Sequence, residues 1–315
     1  MRHVGLLALA MTLCGCDATG VRAGSARSGD AAGRLTAVLA GDYDNHEQAK
    51  QGAASSGPAV PHLRETLRAV PGDGLWLWEL RMVGKDASAQ SAWLYRVAGD
   101  PKGRVTLTPL RAVDPAATAA VAAADHKFEF VAAQWAELAP CAMSGEWKAA
   151  RFQAAANVAA CSSLLPGLGE AAALLPLSLV LDGEMLTSTT FADQARGADA
   201  RIEARRARWF SGWAAINGAG PRAKADSSDW HTHGDLHVSS EGGVVPIRWR
   251  DGAPSGYSLE LERKTYAERK LSVLELNVIE DTSGSVVDYV WASPDASAIG
   301  LNLGWLQAGL TAGTE

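Results

Sequence analysis

The sequence predicts an all-β protein of antiparallel strands with one or two short helices. Three observations carry that expectation. Strict alternation in LWLWELRM (75–82) puts Trp76, Trp78, Leu80 and Met82 on one face and Leu75, Leu77, Glu79 and Arg81 on the other. Two β-rich runs flank Asp182-Gly183 in LSLVLDGEMLTSTTF (177–191), which is a hairpin signal. From about residue 220, turn clusters at 225–229, 240–243, 251–256, 281–284 and 293–298 separate short β-rich runs, the spacing of a meander or of half a sandwich.

The first residues stand apart from the fold. MRHVGLLALAMTLCGC opens with Arg2 and His3 and continues into the apolar run Val4–Leu13. That run is about half a membrane span, so it reads as a secretory signal. Leu13-Cys14-Gly15-Cys16 resembles the lipobox of bacterial lipoproteins, cut before a Cys that receives a diacylglyceryl group and an acylated amine. A plain secretory signal with Cys16 as an ordinary thiol is the alternative. Several acyl chains on one residue anchor a protein firmly. The expected address is therefore the cell envelope, lipid-anchored and facing the periplasm, on the inner or the outer membrane. Residues 17–33, small and polar, are a flexible tether of about 20–25 Å. A formal charge of −6 argues against a nucleic-acid partner, which needs a clustered basic surface. With Cys14 and Cys16 assigned, Cys141 and Cys161 remain. Secretion permits a disulfide, an isolated pair is its simplest arrangement, and the spacing matches no zinc pattern.

Taken in order, Leu35, Val38 and Leu39 have helical spacing, stopped by Gly41. WLYRV (93–97) and RVTLTPL (104–110) read as strands. Asp114-Pro115 supplies an N-cap and a first-turn Pro for a short helix to about residue 124. The Ala-rich segments 149–161 and 200–208 favour helix by propensity alone. DLHVSS, VVPIRWR, YSLELERKTY, LSVLELNVIE, SVVDYVWAS and IGLNLGWLQ are the strands of the C-terminal region.

The stretch Asp42–Gln48 fails as a calcium loop, because Glu47 stands where Gly is required and Ala53 where Glu is required. Asp44 followed by Glu47 fits a capping box. In WHTHGDLH (230–237) one strand face would carry His231, His233, Asp235 and His237. Neighbours there are about 6–7 Å apart, so His231 and His233 form a weak metal candidate, and an exposed polar face is the plainer reading. Pro166–Ala172 mimics a dinucleotide fingerprint without the strand that must precede it. No catalytic motif is legible, and no cofactor is implied. Trp76, Trp78, Trp93 and Tyr95 are either hydrophobic core or the lining of an apolar ligand cup.

Several segments, in order over about residues 33–217, resemble the CpcT/CpeT-type family of phycobiliprotein chromophore lyases. LAGDYDNHEQ (39–48) is similar to the family opening L-x-G-x-[FY]-x-N-x-x-Q, and GLWLWE (74–79) to G-x-W-L-Y-x-E. Tyr95-Arg96-Val97 and LRAVDP (110–115) follow as R-V-Y and Y-x-L-x-D-P do, and Cys141 and Cys161 resemble a Cys pair flanking a hairpin. The resemblance implies an antiparallel, lipocalin-like (calycin-type) β-barrel over 34–217, with Asn45 and Gln48 as recurring polar positions. It also implies strands within 149–161 and 200–208. The family's cup takes a linear tetrapyrrole and delivers it to a protein cysteine. Trp93 stands where the family tends to carry an Arg suited to bilin propionates. Residues 218–315 would form a smaller antiparallel β-domain.

Three functions follow as expectations. The first is an envelope lipoprotein whose barrel binds a hydrophobic or tetrapyrrole-like ligand against Trp76, Trp78, Trp93 and Tyr95, oriented by Glu79 and Gln48. Another is an active bilin lyase. The third is a structural or interaction lipoprotein with a filled barrel and an unspecified protein partner.

Overall fold

Short alternating runs joined by tight turns pair with their sequence neighbours, and most of this chain folds that way. The computed structural model describes residues 31–53, 60–71, 74–83, 90–113, 130–164, 173–196, 201–224 and 226–313. Cys16 with the signal and the tether through residue 30, the Asp114-Pro115 helix and the 166–172 loop lie outside these residues. The first sheet contains β1 (Gly41–Asp44), β2 (Leu63–Ala69), β3 (Leu75–Met82), β4 (Gln90–Gly99), β5 (Val105–Ala112), β6 (Trp135–Glu137), β7 (Met143–Lys148), β8 (Arg151–Ala156), β9 (Pro176–Asp182), β10 (Met185–Thr190) and β11 (Ile202–Arg206). Every pairing is antiparallel. β11 returns to β1, so all strands except β6, a spur on β5, form a closed ten-stranded barrel.

Alternation decides what fills it. Trp76, Trp78 and Leu80 point inward beside Trp93, Tyr95 and Val97, with Trp78 opposite Trp93 and Trp76 opposite Tyr95. Leu75 and Leu77 point outward and are also buried, under a smaller apolar cluster that includes Leu94, Leu110 and Trp135. Coverage on both faces explains why LWLW is apolar at every position. β2, absent from the sequence reading, hides its alternation because Glu65 occupies an inward position between Leu63 and Leu67. Gly74 turns the chain between β2 and β3 at φ +65, where a Cβ would lie 2.4 Å from the Val97 carbonyl oxygen.

Four short helices are described: α1 (Ala31–Leu39), α2 (His46–Ala53), α3 (Val158–Ser162) and α4 (Phe191–Arg196). Leu35 and Leu39, one turn apart on α1, are buried in the barrel cluster. Burial of each contributes about 1.5–3 kcal/mol. Trp147 Nε1 donates to the Ala31 carbonyl at 3.1 Å, and the Arg34 guanidinium lies over the Trp147 ring. α1 thus stoppers one end of the barrel. The helices expected from propensity at 149–161 and 200–208 are instead mainly β8 and β11. Alternation there buries Phe152, Ala154, Ile202 and Ala204, and that burial outweighs the weak helical preference of Ala. Only Val158–Ser162 remains helical, capped by the Asn157 side chain on the Ala160 amide.

The rest of the chain forms two four-stranded antiparallel sheets. One runs β13 (Trp230–Ser239), β12 (Trp209–Asn217), β19 (Leu306–Ala312), β18 (Ala298–Asn302), and the other β14 (Glu241–Arg248), β15 (Pro254–Tyr266), β16 (Leu271–Glu280), β17 (Ser285–Ala292). Phe210, Ile216, Leu236 and Leu310 of the first pack with Leu259, Leu261, Leu274 and Leu276 of the second, making a sandwich. β12 belongs to this sandwich, so the sheets divide the chain between Arg206 and Trp209, not at 217/218. IGLNLGWLQ is two strands, β18 and β19, broken at Gly304 where φ is +82. β17 is an edge strand and nearly all exposed. Among the described residues, no helix is long and apolar enough to cross a membrane.

Cys141 and Cys161 are joined, with Cα atoms 4.5 Å apart, and flank the β7–β8 hairpin from a 3-10 turn and from α3. Both are fully buried. Cys141→Ser lowers the unfolding free energy by about 2–4 kcal/mol. Denaturant unfolding of the oxidised protein reads this directly, and an unchanged midpoint would show that the bridge constrains nothing.

Candidate functional site

The opening polar stretch takes its geometry from β1. Tyr43 points into the barrel, so Asp42 and Asp44 point outward, toward the sandwich. Asp42 accepts from Trp209 Nε1 and from Thr66 Oγ1, each at 2.7 Å. Asp44 accepts from the His46 amide at 2.9 Å and from Arg64 Nε at 3.1 Å, with His62 Nε2 at 2.7 Å. The Asp half of the expected capping box is present. Glu47, however, reaches across to Arg205 and to the Thr265 amide instead of back to the helix start.

Asn45 and Gln48 clamp backbone. Asn45 donates to the Pro61 carbonyl at 2.9 Å and accepts from the Leu63 amide at 2.7 Å. Gln48 donates to the Arg201 carbonyl at 2.9 Å and accepts from the Glu203 amide at 3.0 Å. Together they tie the start of α2 to β2 and β11. Gln48 is therefore engaged with the barrel's own backbone.

Trp76, Trp78, Trp93 and Tyr95 do converge inside the barrel, where none is more than 6% exposed and all join one cluster with Leu35 and Leu39 of α1. Glu79 faces the other way. It is half-buried on the outer wall beside Arg68 at 3.8 Å, and burial outweighs Arg68 and Arg81 in raising its pKa. It cannot orient anything held against the four aromatic rings. The residue missed by sequence reading is Glu65, fully buried among those rings. Its carboxylate accepts from Trp78 Nε1 at 2.8 Å and Ser188 Oγ at 3.0 Å. Burial pushes its pKa up to about 7, more than those hydrogen bonds lower it. Ser91 Oγ and Trp93 Nε1, buried on the same inward face, have no protein partner. The signal for Glu65 was the apolar spacing of Leu63 and Leu67 around it.

His231 and His233 are not gathered with Asp235 and His237 on one face. Asp235 adopts φ +56 in a bulge that inserts one extra residue opposite β12, and this reverses the alternation. His231 and His233 turn to the inner side, where His231 meets the Trp249 ring edge-on. His237 turns out and stacks on Trp209 with centroids 4.7 Å apart. Among the described residues, the donors grouped closely enough for a metal ion are His46, Glu260 and Glu262.

Between barrel and sandwich lies a buried ionic seam. Arg263 donates to Glu241, to Glu184 and to the Arg206 carbonyl, and Arg205 lies 3.7 Å from Glu241. Burial raises Glu241 to about 7, against the pull of both guanidinium groups. Tyr266 and Leu271 with Tyr289 and Trp291 of β17 line a cleft of about 550 Å³, together with Glu268 and Arg269.

No protein-family model matches the chain, and no characterised protein matches it.

Two titrations test these placements. Glu65 binds its proton more tightly folded than unfolded, so its contribution to stability is complete below about pH 4.5 and is lost as pH rises to about 7. Urea midpoints of wild type and Glu65→Gln measured across that window should diverge, the variant gaining on wild type as pH rises. Parallel profiles would show that Glu65 is not held in an apolar interior. Removing Arg263 takes the closer guanidinium from buried Glu241 and leaves only Arg205, at 3.7 Å, so Arg263→Met costs about 3–5 kcal/mol at pH 8. The deficit shrinks at pH 6, where Glu241 takes up a proton, and a pH-independent deficit would refute that account.

Proposed function

We propose that this chain is a non-catalytic interaction protein of the bacterial envelope, lipid-anchored through Cys16, on a barrel similar to the CpcT/CpeT-type chromophore lyases. The barrel is its scaffold. One observation carries this reading: the rings expected to line a ligand cup are core side chains. Trp78 and Tyr95 are each 1% exposed and pack in one cluster with two leucines of α1. A cup would leave such rings facing open volume. Large exposed rings lie instead on the sandwich, where Tyr289 is 56% and Trp291 61% exposed beside the open cleft. Patches of that kind mark interaction surfaces.

A second reading keeps the ligand inside, as an apolar or tetrapyrrole-like molecule, bound only or transferred to a protein cysteine. Ser91 Oγ and Trp93 Nε1 favour it, because buried polar atoms without a protein partner are what a bound molecule would satisfy.

Tryptophan fluorescence and thermal melting, titrated with biliverdin, haem and fatty acids, separate the two. The scaffold reading expects no saturable quenching and no shift in melting temperature. Saturable quenching with a raised melting temperature, both weakened in Trp93→Phe, would establish the ligand reading in its place.

A further inference from the structure

Glu260 and Glu262 leave β15 on one face, opposite the core-facing Leu259 and Leu261. His46 reaches them from the first turn of α2, and one donor atom from each of the three lies within 4.8 Å of the others. The seat is built rather than incidental. Gly242, at φ +70, sits directly against the imidazole, where a Cβ would lie 2.2 Å from His46 Nδ1. The His62 ring is 5.4 Å away, centroid to centroid. Glu262 is 3% exposed.

Asn277 supplies the independent observation. It stands opposite Glu260 on β16 and is 1% exposed. Its Nδ2 donates to Glu260 Oε2 at 3.1 Å and to Glu262 Oε1 at 3.4 Å, whereas its Oδ1 is buried with no partner at all. Two carboxylates thus converge on one amide NH2 group, while the Oδ1 at its other end has no hydrogen-bond partner. A half-turn about its terminal bond gives up both Nδ2 hydrogen bonds and presents Oδ1 to the same point, an exchange that is favourable only when a cation sits between Oδ1 and the two carboxylates.

We propose that His46, Glu260 and Glu262, joined by Asn277 Oδ1 after this turn, bind a divalent transition-metal ion of the zinc type. One imidazole with oxygen donors is a zinc-like set, while calcium and magnesium sites are built from oxygen alone. Glu262 Oε2 accepts from Lys50 Nζ at 2.7 Å, with His46 Nε2 at 3.2 Å. The Lys50 side chain is half exposed, so the ammonium swings into solvent when the ion takes its place. The donors come from α2 at one end and from β15 and β16 at the other. The ion therefore crosslinks barrel and sandwich.

The test uses the full chain after chelator treatment, titrated calorimetrically with zinc chloride and with cobalt chloride. The expected result is one ion per chain, a raised melting temperature, and visible absorption from the cobalt form. Glu260→Gln, at a half-buried position, should weaken binding about tenfold or more while the metal-free protein melts near wild type. Asn277→Asp should do the opposite, tightening binding by adding a carboxylate even as it destabilises the metal-free protein; a purely structural Asn277 would not behave so. Absence of saturable uptake would overturn the proposal. So would uptake indifferent to both substitutions, which would place the ion elsewhere.

Discussion

A closed ring of ten strands encloses more space than ordinary strand side chains fill, and the way this bore is occupied organises the barrel. Eight strands already enclose a space that strand side chains just fill, so ten need larger groups or an inserted element. This chain uses both. Three inward tryptophans with Tyr43, Tyr95 and Phe152 occupy the interior, and α1 adds Leu35 and Leu39 from one end. Arg206 then fixes the stopper: its guanidinium donates to the Val38 and Ala40 carbonyls and to the Tyr43 hydroxyl. Its own carbonyl accepts from Arg263 of the sandwich. Filling the bore and seating the sandwich thus meet at one residue.

Polar burial is distributed to match. Inside the barrel Glu65 is held by two neutral donors, Trp78 and Ser188, and its raised pKa keeps it largely uncharged below about pH 7. In the seam the carboxylates have cationic partners, and their titration depends on how burial and those partners balance. Glu241 is raised to about 7 despite Arg263 and Arg205. Burial alone would raise Glu262 as well, but hydrogen bonds from His46 and Lys50 hold it at about 2. The same residue type on the same seam therefore titrates at opposite ends of the acid range.

Much of the fold was legible because alternation is local. The hairpin around Asp182-Gly183, the strands at 75–82 and 93–97 and most of the sandwich strands could be read from a few residues each. What escaped was non-local or parity-breaking. Glu65 concealed β2, the turn at Asp235 reversed the face of its histidines, and Gly304 split a run that looked continuous. Closure of the barrel is a relation between β1 and β11, more than 150 residues apart, and periodicity alone cannot express it. The seam was invisible for the same reason, since Glu47 finds its partner 218 residues away at Thr265. Asn45 and Gln48 stand out in the sequence as polar positions, but whether they face a ligand or a neighbouring backbone depends on packing.

Closure removes every strand edge from the barrel; the sandwich keeps its own. β17 reads SVVDYVWA, with Val286, Val287, Tyr289 and Trp291 all more than 40% exposed along an unpaired row of backbone groups. Such an edge is a template for pairing with another copy of itself. Asp288 is the one charged side chain in that strand, and it sits at the middle. Two such edges meeting antiparallel through their centres would set like charges close together. Self-pairing through that edge is therefore opposed at its centre by a single surface carboxylate.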